Sequence, residues 1–177
     1  MNISRCVSSA YFAAILLLPT TAFPASVQVG FSPEGSAEVL VLDVVNTAKR
    51  DIRLMGYSFT SPAVVKALIA AKRRNVDVRV VLDARGNEGK ASQAAMNLLV
   101  SAGIPVRTND HFKIQHDKVI VADALNVQTG SFNYTASAAR SNSENALVLW
   151  DAPEVAQAYL KHWHTRWDQG KDYQTGY

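Results

Sequence analysis

Residues 114–133, IQHDKVIVADALNVQTGSFN, decide how the rest of this chain is read. Val119, Ile120 and Val121 supply the apolar run of a strand that starts near His116. Asp123, Ala124, Leu125 and Asn126 form the turn, and a second strand runs on to Thr129. An Asp at the first turn position favours a type I turn. Alternate residues of a strand share a face, so His116 and Lys118 point together and Asp123 falls on the other parity. If the four-residue turn closes the pair at 122 and 127, Lys118 stands opposite Ser131 and His116 opposite Asn133. Directly opposed Cβ atoms are roughly 5 Å apart. An imidazole, an ammonium, a hydroxyl and a carboxamide then meet on one patch, which suits a phosphate oxyanion better than a core. Asp123 lies about 16 Å along the strand from Lys118 at ~3.3 Å per residue, so it is expected to fix the turn.

The spacing His116-x-Lys118-x4-Asp123-x6-Gly130-Ser131-x-Asn133 resembles the HKD signature of the phospholipase D superfamily, with every defining position filled. The likeness continues through FSPEGSAEVLVLDVV, IRLMGYSFTSP, VDVRVVLDARGNEGKAS, IPVRTND and SENALVLW. These stand in the order expected of small secreted bacterial Nuc-type endonucleases. The resemblance implies a single phospholipase D-like domain acting as a phosphodiesterase, with a phosphohistidine on His116 and with neither metal nor cofactor. It implies catalytic roles for His116, Lys118, Asn133 and Ser131, and motif or structural roles for Asp123 and Gly130. Glu144 becomes, by the same resemblance, the acid that hydrogen-bonds the nucleophilic histidine. Members with two HKD copies place them across one site. This chain has one copy, so the resemblance implies a homodimer with His116 of each subunit at the two-fold axis, where an isologous interface brings a residue to its own copy.

Outward from the hairpin, helical and strand patterns alternate. Glu38–Ala48 is apolar at helical spacing, Ile52–Phe59 reads as a strand, and Ser61-Pro62 opens a helix with Ser61 as cap. Val76–Leu82 is a strand, Lys90–Ala102 a helix ending at Gly103, and Ile104–Arg107 a short strand. Tyr134–Arg140 is expected to be a helix whose free N–H groups help to hold an anion beside Asn133. Asn145–Trp150 reads as a strand and Pro153–Trp167 as a final helix, with Trp163 and Trp167 packing it onto the sheet. The pattern is α/β: a layered α/β/α sandwich with a mixed β-sheet.

The chain has 177 residues, a one-domain length. Met1–Arg5 is basic, Ala10–Leu18 is apolar, and small residues follow. That is the layout of a secretory signal peptide over residues 1–25, cleaved after Ala22 or Ala25, leaving 26–177 as the enzyme domain. The apolar run is shorter than the ~20 residues of a membrane span. The only cysteine, Cys6, lies in this leader, so the mature chain holds no disulfide. A periplasmic or secreted location follows.

The formal net charge is +3, only mildly basic. Lys72, Arg73, Arg74, Arg85 and Lys113, with Lys90 and Arg107, are candidates for a nucleic-acid path. Lys72-Arg73-Arg74 equally suits the solvated last turn of a helix, where cations complement the dipole. Gly86–Lys90 resembles a phosphate loop only superficially, because Ala91 stands where Ser or Thr is needed. His111-x-Lys113 is not a second motif, since position 118 is Lys where Asp would be required. His162-x-His164 cannot put both rings on one helix face and reads as surface or packing. The leading substrate is DNA, with RNA as an extension, cut without base preference through backbone contacts. The alternatives are a phospholipase D or cardiolipin hydrolase acting on phospholipid diesters, and an inactive nucleic-acid-binding module. A lipid enzyme calls for an apolar entry beside His116, and a nuclease calls for a basic groove.

Overall fold

The alternating pattern folds into one sheet with helices on both faces. The computed structural model describes residues 25–175, so the expected leader falls outside the described residues except for Ala25. In chain order the elements are β1 (Ser26–Ser32), α1 (Ser36–Thr47), β2 (Asp51–Gly56), α2 (Pro62–Arg73), β3 (Asp77–Asp83), α3 (Lys90–Ser101) and β4 (Val106–Asn109). Then come β5 (Lys118–Ala122), β6 (Asn126–Gly130), α4 (Ala136–Arg140), β7 (Glu144–Trp150), α5 (Pro153–Gln169) and β8 (Lys171–Asp172). Strand order is β1-β7-β6-β5-β2-β3-β4-β8. Pairs β2–β3 and β3–β4 are parallel and the others antiparallel, so the sheet is mixed as the pattern implied.

Two apolar layers hold the sandwich. Val41, Val45, Val64, Leu68 and Leu99 bring α1, α2 and α3 against Ile52, Leu54, Val78, Val80 and Ile120 on one face. The other face, with Met55, Val81, Val119, Val121 and Val127, is covered by α5 through Ala156 and Trp163. The Trp163 indole is 1% exposed and donates to the Leu54 carbonyl at 2.9 Å. Trp167 stacks on it with centroids 5.0 Å apart. Truncating such a buried Trp costs about 3–5 kcal/mol. Among the described residues no helix is long and apolar enough to cross a membrane.

Local signals account for several boundaries. The Ser61 hydroxyl accepts from Val64 N at 3.3 Å with Pro62 at the first helical position, as the sequence indicates. Strand β2 stops at Gly56 rather than Phe59, because residues 57–61 turn away to start α2 and Phe59 makes only an isolated bridge to Tyr134. Helix α4 starts two residues later than expected. The Thr135 hydroxyl caps it by accepting from Ala138 N at 3.1 Å, so its terminus is not an open anion site beside Asn133. Strands β1 and β8 have no counterpart in the sequence reading.

The hairpin itself differs by one residue. Ala122 pairs with Asn126 and Val121 with Val127, so the register puts Gly130, not Ser131, level with Lys118. Asp123 and Ala124 have φ of 59° and 53°, and Leu125 N donates to Ala122 O at 3.0 Å. Left-handed residues at both central positions are the mark of a type I′ turn, whose twist matches that of paired strands, whereas a type I turn would splay them. Strand β5 also begins at Lys118, leaving His116 in the preceding loop.

Candidate active site

The polar residues of the hairpin still converge. His116, Lys118, Ser131, Asn133, Glu144 and Asn145 line an open concavity of about 590 Å³ with Gly130. What restores convergence after the register shift is a bulge. Gly130 has φ of 145°, and a Cβ there would run into the Asn145 carbonyl, so only glycine fits. Ser131 N and Phe132 N then both donate to Asn145 O, at 3.1 and 3.2 Å. This swings the Ser131 hydroxyl onto the Glu144 carboxylate at 2.6 Å, while Asn145 N donates to that hydroxyl at 3.0 Å. Buried Phe132 and Tyr134 anchor the segment after β6 on either side of Asn133.

Lys118 is only 6% exposed, and its ammonium donates to the His116 carbonyl at 2.8 Å. Burial pulls it below the ordinary lysine value, and the Asp117 and Glu144 carboxylates pull the other way. His116 is exposed, and its imidazole rests on the Tyr57 ring with centroids 4.8 Å apart. The Asn133 Oδ1 is buried without a hydrogen-bond partner. The Glu144 carboxylate is taken by Ser131 on one oxygen and by Asn142 Nδ2, at 2.9 Å, on the other. The expected bond from Glu144 to His116 is therefore not formed within one protomer.

Asp123 sits at the far end of β5. Its carboxylate accepts from the backbone N–H groups of Lys49 at 3.0 Å, Arg50 at 2.7 Å and Asp51 at 3.1 Å. The Arg50 guanidinium donates to the Asp123 carbonyl. The basic candidates divide. Arg85, in a single 3-10 turn (Arg85–Asn87) after β3, and Lys113, in the loop before β5, lie at the His116 end of the sheet, joined by Arg85 Nη1 donating to Lys113 O at 3.4 Å. Lys72, Arg73 and Arg74 are not brought to the site. They close α2, roughly 18 Å from its start at ~1.5 Å per residue, and Arg74 donates to the Val45 and Ala48 carbonyls at the end of α1.

Sequence reasoning missed three contributors. One is Tyr57. A second is Asp117, inside the motif, whose carboxylate meets His162 Nε2 at 3.1 Å. The third is β1, which pairs with β7 so that Ser32 is level with Glu144 and Phe31 with Asn145. Only β1 left a local trace, the alternation of SVQVGFS. Among the described residues no group of three or more His, Cys, Asp or Glu is placed to hold a metal ion.

Fold and site together define an α/β protein in which an imidazole, an ammonium, a hydroxyl and a carboxamide line one open concavity. Residues 41–167 match the family described as Cardiolipin synthase, PLD-like domain. The chain superposes on Nuc from Salmonella typhimurium, a phospholipase D family member, with TM-score 0.84 and 58% identity over 85% of this chain and 99% of that one. Among curated relatives, a Phospholipase D of Rickettsia bellii is 36% identical over 136 residues, 77% of this chain. A Mitochondrial cardiolipin hydrolase of Xenopus laevis is 36% identical over 122 residues, 69% of this chain. The matches span 66% and 57% of the length of those two proteins. This chain belongs to the phospholipase D superfamily of phosphodiesterases.

Proposed function

We propose that the chain is a metal-independent endonuclease that hydrolyses DNA, and RNA in addition, through a phosphohistidine on His116 at the axis of a homodimer. The observation that carries this reading is the concavity in which an exposed His116 stands over Lys118, Ser131 and Asn133 with no apolar side chain among them. In the reaction, a ring nitrogen of neutral His116 attacks phosphorus and the bond to the leaving oxygen breaks. The partner's His116, protonated, gives that oxygen its proton. The second imidazole then removes a proton from water, the oxygen of that water attacks phosphorus, and the P–N bond breaks. An imidazole serves both roles because its ordinary pKa of about 6.5 keeps both forms available. Lys118 and Asn133 from each protomer would stabilise the equatorial oxygens, each donor contributing about 3–4 kcal/mol to the transition state.

Two features support the dimer. One protomer leaves the His116 ring without a carboxylate, since Glu144 is held by its neighbours, so the orienting acid for each imidazole would come from the other protomer. Val27, Val29 and Phe31 of β1 are 57%, 52% and 54% exposed and point to one side of the sheet edge. This apolar row runs to Asn145, which lines the concavity, and a second copy covering it would bring two sites together. Arg85 and Lys113, at the His116 end of the sheet, suit a phosphate backbone. The likeness to Nuc supports a nucleic-acid substrate, while the names of the curated relatives favour a second reading, hydrolysis of phospholipid diesters. A cavity of marked apolar character lies between α2 and α3, about 540 Å³ beside Ile69 and Leu98, and it includes no motif residue.

Plasmid DNA and cardiolipin vesicles, each incubated with the mature protein in excess EDTA, test the proposal against a His116→Ala control. EDTA-resistant nicking that disappears in the variant is the expected result. Hydrolysis of lipid without nicking would move the substrate to the membrane, and binding of DNA with no turnover would leave an inactive module.

A further inference from the structure

We infer that Tyr57 is a positioning residue whose ring sets the orientation of His116 and Lys118, and that a buried corner at Asp83, Gly86 and Asn87 holds that ring in place. The inference deepens the phosphodiesterase reading of this site and rests on it. The Tyr57 ring lies against the His116 imidazole at 4.8 Å with planes inclined by 59°, and the Lys118 ammonium is 5.4 Å from its centroid. Among the described residues the His116 ring makes no hydrogen bond, so this contact is what selects its rotamer in the protomer. Attack on phosphorus needs the reacting nitrogen aligned within ~3–3.5 Å, and a ~1 Å misplacement can cost a factor of about 100. An exposed imidazole free to rotate would lose that alignment.

The corner beneath Tyr57 is built for close approach. A Cβ on Gly86 would lie 2.8 Å from the Tyr57 carbonyl oxygen and 2.9 Å from its ring, so glycine is required for the ring to sit where it does. Asn87 Nδ2 donates to the Tyr57 carbonyl at 2.6 Å and to the Asp83 carbonyl at 2.8 Å, and its Oδ1 accepts from Phe59 N at 2.9 Å. The Asp83 carboxylate accepts from Gly86 N at 2.6 Å and, on its other oxygen, from Gln115 N at 2.7 Å. Asp83 and Asn87 are each 2% exposed. One buried carboxylate thus ties the turn under Tyr57 to the residue immediately before His116. Tyr57 and His116 are placed relative to each other by the same group. The segment that resembles a phosphate loop only superficially therefore acts as a buttress. The Tyr57 hydroxyl takes no part in this scheme.

The test compares Tyr57→Leu with Tyr57→Phe in the full-length mature protein, measuring kcat and KM on plasmid DNA and on bis(p-nitrophenyl) phosphate. In parallel, the His116 ring protons are followed by NMR, assigned with His116→Ala. Tyr57→Leu should lower kcat about 30- to 100-fold on both substrates with KM changed less than ~3-fold. It should also abolish the upfield ring-current shift of His116. Tyr57→Phe, which keeps the ring, should restore most of the turnover and the shift. Gly86→Ala, which alters no group at the reacting phosphorus, should reproduce the loss of kcat. Unchanged kcat in Tyr57→Leu would overturn the inference. A rise in KM alone would make the ring a substrate platform, and an equal loss in Tyr57→Phe would assign the chemistry to the hydroxyl; either also overturns it. If the parent protein cleaves neither substrate, the functional reading fails, and the presence or absence of the His116 shift still decides whether Tyr57 holds the imidazole.

Discussion

Replacing Asp123 by Asn should weaken the fold and spare the chemistry. The carboxylate lies at the end of β5 remote from Lys118, about 16 Å away at ~3.3 Å per residue. Its Oδ1 accepts from Lys49 N at 3.1 Å, Arg50 N at 2.7 Å and Asp51 N at 3.1 Å, and its Oδ2 accepts from Lys49 N at 3.0 Å. Asparagine keeps the oxygen that serves all three N–H groups, but it removes the negative charge and replaces the second acceptor of Lys49 N with an NH2 group. The φ of 59° is no obstacle, because Asn tolerates the left-handed region well. A hydrogen bond to a charged group contributes about 1.5–3 kcal/mol. Water can reach the Lys49 and Arg50 N–H groups, so the loss settles near ~2 kcal/mol at the lower part of that range. For a domain of this size that lowers Tm by roughly 4–8 °C. Thermal melts of parent and variant measure the shift, and initial rates well below both transitions give kcat per folded molecule. A variant with unchanged Tm and a kcat reduced tenfold or more would refute the assignment, because Asp123 would then act on the reaction from across the sheet.

Three other perturbations address other parts of the site. Gly130→Ala forces a Cβ at φ of 145° into the Asn145 carbonyl; it should cost about 1–3 kcal/mol of stability and pull the Ser131 hydroxyl from Glu144, with kcat falling alongside. A melt together with a rate measurement checks both parts. Phe31→Glu places a charge in the apolar row of β1 and should convert the proposed dimer to monomer in sedimentation velocity, with activity falling in proportion to the dimer; a fully active monomer, or a parent that is itself monomeric, would dismiss the shared site. Because burial lowers the Lys118 pKa, its ammonium is lost at a lower pH than an ordinary lysine's. Followed through its own side-chain NMR signals, Lys118 should therefore lose its proton below the free-lysine value of about 10.4, and a midpoint above that value would contradict the shift.

Much of the layered fold was legible because apolar spacing is a local signal. The helix starting at Pro62, the strand before Asp83 and the α5 tryptophans each announce themselves within a dozen residues. The turn at Asp123 was misread because its local preference loses to two distant influences. The twist of the hairpin demands left-handed residues at 123 and 124, and the carboxylate is engaged by residues 49–51 of another strand. The one-residue slip that resulted would ordinarily move every side chain to the other face. Here Gly130 absorbs it by bulging, so the grouping of His116, Lys118, Ser131 and Asn133 was anticipated from a register that does not occur. Glu144 was legible only through family resemblance, because its bonds to Ser131 and Asn142 depend on the path of the chain after the bulge. Tyr57 and Asp83 left no trace at all, since their relation to His116 exists only across strands.

The long interval between the ends of the motif also has a mechanical sense. Asp123 grips the start of β2 through Lys49, Arg50 and Asp51, and Asp123 N donates to the Asp51 carbonyl at 2.9 Å. From that grip, β2 and β5 run antiparallel with Ile52 beside Ala122 and Gly56 beside Lys118. The residue after Gly56 is Tyr57, whose ring meets His116. A slip of one residue at the Asp123 end would shift Gly56 past Lys118 by ~3.3 Å and carry Tyr57 with it. The aspartate therefore serves the histidine through strand register rather than through charge. That coupling yields a sharper expectation for Asp123→Asn: so long as the sheet is folded, β2 and β5 have only one register that keeps Met55 and Val119 in the core, and Tyr57 must return to His116. Loss of stability with intact turnover follows from that constraint, and the His116 ring-current shift should be unaltered in the variant.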